Sequence, residues 1–188
     1  MKNKQKFNSK LTQLVQELKS DSESNFRKAI SELASIGDLS VIPDLFLLLK
    51  EKSNSFRQKM ISNLLSEIQI SDAAQIFIDS LRNEENPDVQ KLILPVIWES
   101  KLDFSEFLPD IVEIAVSSDY LIALDCLTII ENMPGPFSES QLLEAQLHLK
   151  EFVEKKDDSD NRKNQILSEI ALFIKDQNED IDADLLFE

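Results

Sequence analysis

The stretch FRKAI at residues 26–30 is echoed by FRQKMI at residues 56–61, and each copy opens a helical pattern after a short polar break. A second pair, VIPDL at 41–45 and FLPDI at 107–111, is separated by 66 residues, or two units of 33. Self-similarity at a period of about 30 residues is typical of arrays in which small helical units stack on one another. The repetition therefore predicts a helical repeat protein.

Apolar residues recur at spacings of three and four along most of the chain, which is the pattern of helices with one buried face. Strand patterns are nearly absent, because alternation of β-branched residues does not persist. The two glycines, Gly37 and Gly135, stand where helices are expected to end. We therefore predict an all-α fold with ten helices, over residues 8–19, 24–36, 40–51, 55–68, 71–83, 88–100, 104–117, 119–132, 138–155 and 160–176.

The predicted helices group into antiparallel pairs, because the connections between consecutive helices are short. A single pair cannot bury its apolar face alone, so the pairs are expected to stack, with one further helix capping each end. The four pairs span residues 24–51, 55–83, 88–117 and 119–155. We expect one domain over residues 1–176, followed by an acidic tail over residues 177–188 that is disordered or loosely held.

Composition places the chain among soluble globular proteins. At 188 residues, of which 42% are hydrophobic, it can bury about 70% of its unfolded surface as a single domain. Cys126 is the only cysteine, so an intrachain disulfide is excluded and a reducing compartment is expected. No secretory signal pattern opens the sequence, and no apolar run reaches the length of a membrane span. We expect a cytoplasmic protein.

Charge is unevenly distributed along the sequence, whose net charge is -15. Residues 1–59 carry 11 basic and 7 acidic residues, whereas residues 60–149 carry 3 and 16. No lysine or arginine occurs from Leu102 to Leu149. Such a field repels phosphate backbones and attracts cationic surfaces, so we expect a basic protein partner and no nucleic acid. An acidic coat that only maintains solubility remains the alternative.

The segment FRKAISELASIGD at 26–38, followed by VIPDL at 41–45, resembles the short bacterial HEAT repeat. In that family an aromatic or aliphatic residue and an arginine open the first helix, glycine and aspartate end it, and proline begins the second. The resemblance covers about residues 22–155, although the fourth repeat lacks the arginine and has MPGP at 133–136 instead. It implies a right-handed α-solenoid superhelix whose second helices line a concave, protein-binding face.

An acidic stripe is the strongest candidate for a functional surface. Glu106, Asp110 and Glu113 are spaced by four and three, so they share one face of a predicted helix. If the HEAT resemblance holds, stacking aligns them with polar residues of the other second helices into a negative groove. The predicted partner-binding residues are Asp44, Glu51, Gln75, Asp79, Glu106, Asp110, Glu113, Glu144 and Glu151. An ordinary solvated helix face is the alternative interpretation.

Residues suited to catalysis or to metal binding are few, so we expect no catalytic, cofactor or metal site. His148 is the only histidine, and Cys126 is expected to be buried. A calcium-loop pattern beginning at residue 158 is interrupted by Arg162 and Lys163, and another beginning at residue 176 lacks the glycine and the final glutamate. Trp98 and Phe104 lie near a predicted turn, where we expect core packing rather than an exposed anchor.

The run Leu185-Leu186-Phe187 places apolar residues within the acidic tail. Its Leu-x-Phe ending is similar to bacterial sliding-clamp binding peptides, but Asp182 stands where those peptides have glutamine. We expect the run to fold back onto the chain's own helices rather than to act as a docking peptide.

Together these features favour a non-enzymatic scaffold that binds a basic protein through an acidic concave face. Two alternatives stay open. One is a HEAT-like enzyme of the phycobilin-lyase kind; a DNA glycosylase of the HEAT-like group is opposed by the acidic field. The other is a structural solenoid that assembles end to end through its terminal helices.

Overall fold

The computed structural model describes residues 2–50, 55–83, 87–154 and 161–177, with side chains from residue 9 onward. Within these ranges the chain forms ten α-helices and no β-strand, which confirms the prediction of an all-α fold. None of the described helices is long and apolar enough to cross a membrane. The helices are α1 Lys2–Leu18, α2 Glu23–Ile36, α3 Ile42–Lys50, α4 Ser55–Ser66, α5 Ala73–Arg82, α6 Pro87–Glu99, α7 Leu108–Ser117, α8 Tyr120–Glu131, α9 Glu139–Glu154 and α10 Asn161–Gln177.

Helix starts differ from the prediction by two residues or more in α1, α3, α5 and α7; α5 begins at Ala73 rather than at residue 71. α1 begins at Lys2 rather than at residue 8, because the lysines and glutamine that precede the apolar pattern are themselves good helix formers. α3 and α7 begin later than predicted, since each is preceded by a short 3₁₀ helix, Leu39–Val41 and Ser105–Phe107 respectively. In both helices a proline occupies the second position, where its missing N–H leaves no helical hydrogen bond unmade.

Side-chain caps explain where α2 and α8 begin, which are the first helices of the first and fourth predicted pairs. The Ser22 hydroxyl accepts a hydrogen bond from the Asn25 N–H at the start of α2. The Asp119 carboxylate accepts from the N–H groups of Leu121 and Ile122 at the start of α8. These caps satisfy backbone donors that have no partner within the helix. The polar breaks at these two positions therefore act as helix starts, as predicted.

The two glycines have different roles. Gly37 ends α2 with a left-handed φ of 64°, and its N–H donates to the Leu33 carbonyl, as expected of a helix C-cap. Gly135 is also left-handed, with φ 61°, but α8 has already ended at Glu131. The Gly135 N–H instead donates to the Ser105 hydroxyl at 3.1 Å, which ties the loop after α8 to the turn before α7. The expectation that Gly135 terminates a helix is wrong.

Alternate helices contact one another in two series. One series runs α2, α4, α6, α8 and α10, and the other runs α3, α5, α7 and α9, while α1 packs on α2. Among consecutive helices, backbone contacts are most extensive for α1 with α2, α3 with α4, α5 with α6, α7 with α8 and α9 with α10. The predicted pairs were α2 with α3, α4 with α5, α6 with α7 and α8 with α9. The backbone contacts between one predicted pair and the next are therefore more extensive than those between the two helices of a pair.

The repeated Phe-Arg motif joins its two copies directly. The Arg27 guanidinium lies 4.5 Å from the ring centre of Phe56, and the Arg57 guanidinium lies 4.8 Å from the ring centre of Phe26. Arg57 also donates to the carbonyl oxygen of Ser20, at 2.8 Å, just after α1. Each copy therefore stabilises its neighbour through cation–π contacts. The motif that reveals the repeat in the sequence also connects α2 to α4.

One hydrophobic core extends through the array from Leu11 to Ile174. Within it, an aromatic row crosses the second series of helices. The ring centres of Phe46 and Phe77 are 5.3 Å apart, and those of Phe77 and Phe104 are 6.4 Å apart. Since Phe46 lies on α3, Phe77 on α5 and Phe104 just before α7, the row connects three successive units. This packing holds the second series in place and sets the position of the candidate surface.

Candidate partner-binding surface

Arg82 brings two of the predicted acidic residues together. It lies in the last turn of α5, and α5 packs on α7. Its guanidinium donates to Asp110 at 2.5 Å and to Glu113 at 3.3 Å. Asp110 and Glu113 are one turn apart on α7, so a single planar guanidinium reaches both carboxylates. The acidic stripe is therefore partly compensated by a cation from the preceding unit.

Glu144 on α9 completes this group from the other side. Burial raises the pKa of Asp110 above its ordinary value, Arg82 acts in the opposite direction, and the charges of Glu113 and Glu144 raise the pKa further. Glu144 thus lies close enough to α7 to interact electrostatically with Asp110. We name Asp110, Glu113 and Glu144 the carboxylate cluster. The Arg82 guanidinium contacts two of these three carboxylates, so the four side chains together carry a net charge of -2 when all are ionised.

The three residues of the carboxylate cluster differ in their exposure to solvent. The side chain of Asp110 is 23% exposed, that of Glu113 is 44% exposed, and Glu144 is an exposed residue. A cation arriving from solvent therefore reaches Glu113 and Glu144 first, with Asp110 behind them. Because Asp110 is partly removed from water, its interaction with a nearby cation is screened less than that of a fully exposed carboxylate.

The remaining predicted residues are spread over other parts of the surface. Gln75 and Asp79 are exposed on α5, and the Gln75 amide donates to the Asp79 carboxylate at 2.9 Å. Glu106 is exposed and belongs to the 3₁₀ helix before α7, so it does not lie on the same α-helix as Asp110 and Glu113, as the predicted helix 104–117 had it. A 3₁₀ helix has about three residues per turn, so the 3.6-residue spacing used in the prediction does not apply across this turn.

Asp44, Glu51 and Glu151 complete the predicted set. Asp44 is half-buried and lines a hollow with residues of α1, among them Thr12 and Gln16, at the far end of the array from α9. Glu151 is exposed near the end of α9, and Glu51 lies outside the described residues. The structure therefore brings together Asp110, Glu113 and Glu144, and it places Asp44 apart from them.

Arg82 is the residue of the candidate surface that sequence reasoning missed. It precedes Asp110 by 28 residues and Glu113 by 31 residues. That separation is close to the repeat length, and residues one repeat apart lie side by side in a stacked array. A search for opposite charges about 30 residues apart would have found the contact. Lys91 and Asp119, also 28 residues apart, form a second such pair at 2.8 Å.

This second pair lies on α6 and α8, in the other helix series. The hydrogen bond from Lys91 lowers the pKa of Asp119 and raises the pKa of Lys91. Asp125, two turns further along α8, is half-buried; burial raises its pKa, the charge of Asp119 raises it further, and Lys91 partly offsets both. Since Asp119 also caps α8, this pair has a structural explanation, and we do not assign it to the partner-binding surface.

The chemically reactive side chains are dispersed. Cys126 is fully buried, and that burial raises the pKa of its thiol, so the thiolate needed for reactivity is disfavoured. His148 is half-buried on α9. Over the ranges that the structure describes, no group of three or more His, Cys, Asp or Glu residues is arranged to hold a metal ion.

Two of the expectations about individual residues have opposite outcomes. Phe104 is buried, as predicted, but Trp98 is 44% exposed, so its predicted core packing is wrong.

Within the interrupted calcium pattern, Arg162 stacks on the Tyr120 ring, and the Lys163 ammonium donates to the Val116 carbonyl. Residues 158 and 160 of that pattern, and residues 178–188 of the other, lie outside the described residues.

The chain matches no protein-family model, no curated protein and no solved structure at a significant level. The HEAT resemblance of residues 22–155 stays a prediction from the sequence motifs.

Proposed function

We propose that this protein is a non-enzymatic scaffold, built as a HEAT-like right-handed α-solenoid, that binds a basic protein partner through the carboxylate cluster. The architecture is supported by the two series of alternating helix contacts and by the reciprocal contacts of the repeated Phe-Arg motif. In such an array each unit contacts its neighbours, and one series of helices presents an extended surface. The carboxylate cluster lies on that series, on α7 and α9.

The observation that carries the proposal is the shared use of Arg82 by Asp110 and Glu113, with Glu144 close by. A site with more carboxylates than cations favours an additional cation. An arginine of the partner suits it best, since a guanidinium can make two parallel hydrogen bonds to a carboxylate and is always charged. The partner's side chain would take the exposed oxygens of Glu113 and Glu144 while Arg82 holds Asp110.

The sequence around the carboxylate cluster supports the same partner chemistry. Since no lysine or arginine occurs between Leu102 and Leu149, the local field near α7 and α9 is negative over a distance greater than one contact. Such a field accelerates association with a basic surface and weakens as salt screens it. We therefore expect partner association to be salt-dependent and fast.

The test is affinity capture from cell lysate at about 50 and about 300 mM salt, where the screening length differs roughly twofold. The test variant combines Glu113→Gln with Glu144→Gln. The matched control combines Glu99→Gln with Glu131→Gln, two exposed carboxylates on α6 and α8, so both variants lose the same charge. We expect basic proteins to be captured by wild type and by the control at low salt, and to be lost from the test variant and at high salt.

Two results would contradict the proposal. If the test and control variants lose the same proteins to the same degree, net charge rather than the carboxylate cluster is responsible. If capture is indifferent to salt and to both variants, the partner binds another surface and is not selected by charge.

A further inference from the structure

A surface hollow lies between the ends of α2 and α4, on the side of the array where α3 begins. Its volume is about 260 Å³, and its lining includes Leu33 from α2, Leu45 from α3 and Leu64 from α4. Ile68 and Ile70, in the turn after α4, also line it, and Ile70 is 44% exposed. We name it the first hollow. It offers an apolar surface that solvent reaches.

A second hollow has the equivalent position two units further along the array. Its lining comes from the end of α6, the turn that follows and the end of α8. α6 packs on α8 in the same series in which α2 packs on α4. Ile97 follows Leu33 by 64 residues, and Met133 follows Ile68 by 65 residues, which is about two repeat lengths. The two hollows are therefore related by the repeat.

The linings of the two hollows differ most at one position. Ala34 lines the first hollow, and Trp98, which follows it by 64 residues, lines the second. The second hollow has a volume of only about 40 Å³. Because an indole is much larger than a methyl group, Trp98 takes up space on α6 that Ala34 leaves open on α2. At the second hollow the chain thus supplies its own aromatic ring.

The first hollow is large enough to accept such a ring from outside. An apolar cavity of about 150 Å³ binds benzene, and the first hollow is larger than that. An aromatic side chain that moves from water into an apolar site buries a large surface, and aromatic residues are therefore frequent anchors of protein interfaces. Size and lining both favour an aromatic occupant.

The polar groups of the first hollow add a preference for positive charge. Asp38 and Glu67 both line it, Asp38 half-buried and Glu67 exposed. Among the described residues, no lysine, arginine or histidine lines this hollow. Two carboxylates beside an apolar surface attract a cation that arrives together with the ring. A basic residue next to the aromatic one therefore fits the site.

We propose that the first hollow binds an aromatic side chain of a partner protein, carried on a segment in which the neighbouring residue is basic. The ring packs on Leu33, Leu64 and Ile68, as Trp98 packs in the second hollow, and the basic group pairs with Asp38 or Glu67. The site is formed by α2, α3 and α4, whereas the carboxylate cluster lies on α7 and α9. The proposal is therefore independent of that cluster and adds a second contact for a basic partner.

Titration of the full-length chain with blocked peptides tests the proposal, with the protein's amide NMR resonances as the readout. The probe peptide is GRWRG; GRARG lacks the ring, and GEWEG reverses the charges. We expect GRWRG to shift the resonances of the last turn of α2 and of residues 67–70. It should bind at least about tenfold more tightly than GRARG, because the ring is removed from water. GEWEG should bind more weakly than GRWRG, since Asp38 and Glu67 repel it.

A variant that fills the first hollow identifies the position of the ring. Ala34→Trp places an indole on α2 where Trp98 stands on α6, at an exposed position that tolerates a larger side chain. The matched control, Ser35→Trp, adds the same ring at the next exposed position, which does not line the hollow. We expect Ala34→Trp to weaken GRWRG binding at least about tenfold and Ser35→Trp to leave it unchanged. Circular dichroism verifies that both variants are folded.

A second variant tests the charge preference without changing the shape of the hollow. Glu67→Gln keeps the size of the side chain and removes its charge. We expect it to weaken GRWRG binding about two- to fivefold, as is typical of an exposed ion pair, and to leave GEWEG binding no weaker. An equal effect of Glu67→Gln on both peptides would contradict the assigned role of Glu67.

Three results would overturn the proposal. Equal affinities for GRWRG and GRARG would show that the ring is not recognised, and equal binding by the two tryptophan variants would show that it lies elsewhere. Shifts confined to α7 and α9 would mean that the peptide's arginines bind the carboxylate cluster, which would support the proposed function and not this site. We expect Glu113→Gln with Glu144→Gln to leave the shifts at α2 unchanged, so the two proposals can fail separately.

Discussion

At the level of single residues, Arg57 makes contacts beyond those between the two copies of the repeated motif. It stacks on Phe26 of the neighbouring copy, and it donates to the Ser20 and Leu18 carbonyls at the end of α1. Those carbonyls belong to the last turn and its exit, where helix acceptors lack partners within the helix. One side chain therefore connects α1, α2 and α4. Lys163 on α10 makes a similar contact, since its ammonium donates to the Val116 carbonyl near the end of α7.

We expect Arg57→Ala to lower the free energy of unfolding by about 1–3 kcal/mol, because it removes a cation–π contact and charged hydrogen bonds to a helix end. Urea denaturation measures the change. The matched control is Arg27→Ala: Arg27 stacks on Phe56 but its other partner is Glu23 on the same exposed helix face, at 2.7 Å. Its loss should cost less than about 1 kcal/mol. Equal losses would mean that the contact with α1 contributes nothing.

At the level of helices and turns, the sequence predicted which segments are helical but placed several starts imperfectly. Whether a segment forms a helix depends on the periodicity of its apolar residues, which is present along most of the chain. Where the helix begins depends on the backbone geometry of one or two residues. The 3₁₀ turns before α3 and α7 illustrate the difference, since their residues continue the apolar pattern while the backbone is wound more tightly. As a result, Glu106 belongs to a 3₁₀ helix, whereas Asp110 and Glu113 belong to α7.

The aromatic row through Phe77 gives a prediction about the second helix series. Phe77 is fully buried and contacts Phe46 on one side and Phe104 on the other. We expect Phe77→Ala to destabilise by about 3–5 kcal/mol, from lost burial and the cavity left between units. Phe107→Ala, at the half-buried end of the row, should cost less. Thermal or urea unfolding measures both, and a Phe107→Ala loss as large as that of Phe77→Ala would contradict this account.

At the level of the whole molecule, the charge that the sequence distributes along the chain becomes a local site only through packing. Arg82, Asp110, Glu113 and Glu144 come from three helices of one series. Their proximity follows from the repeat length, since each unit returns the chain to a similar position about 30 residues later. The sequence predicted an acidic face but not that a cation from the preceding unit occupies it.

The raised pKa of Asp110 predicts how partner binding depends on pH. As pH falls through that pKa, Asp110 takes up a proton and the carboxylate cluster loses a negative charge, so affinity for a basic partner decreases. Because the pKa is raised, the decrease begins at a higher pH than for an ordinary aspartate. An arginine-rich synthetic peptide titrated by fluorescence anisotropy across acidic to neutral pH measures it.

The control for this titration is Asp110→Asn, which has no proton to take up. It should bind the peptide more weakly at neutral pH and lose the upper part of the pH dependence. Parallel pH profiles for wild type and Asp110→Asn would show that another group controls binding.

The burial of individual side chains could be predicted from the sequence at some positions and not at others. Phe104 and Cys126 are buried as predicted, because their neighbours in sequence follow a helical apolar pattern. Trp98 follows a similar pattern yet is 44% exposed, since it lies in the last turn of α6 and lines the second hollow with Ser100, Met133 and Pro134. The burial of a side chain at the end of a helix depends on which residues pack against it in space, and these cannot be read from the sequence.

The sequence by itself determined that the chain is helical, where most helices lie, and that units of about 30 residues recur. These properties come from interactions over three or four residues and from repetition, both of which can be read along the chain. Only the tertiary structure decided that Arg82 contacts both Asp110 and Glu113 and that Glu144 lies near them. It also decided that leucines remain exposed on α9 and α10. Charge interactions and burial depend on distances between helices, and those distances are set by packing.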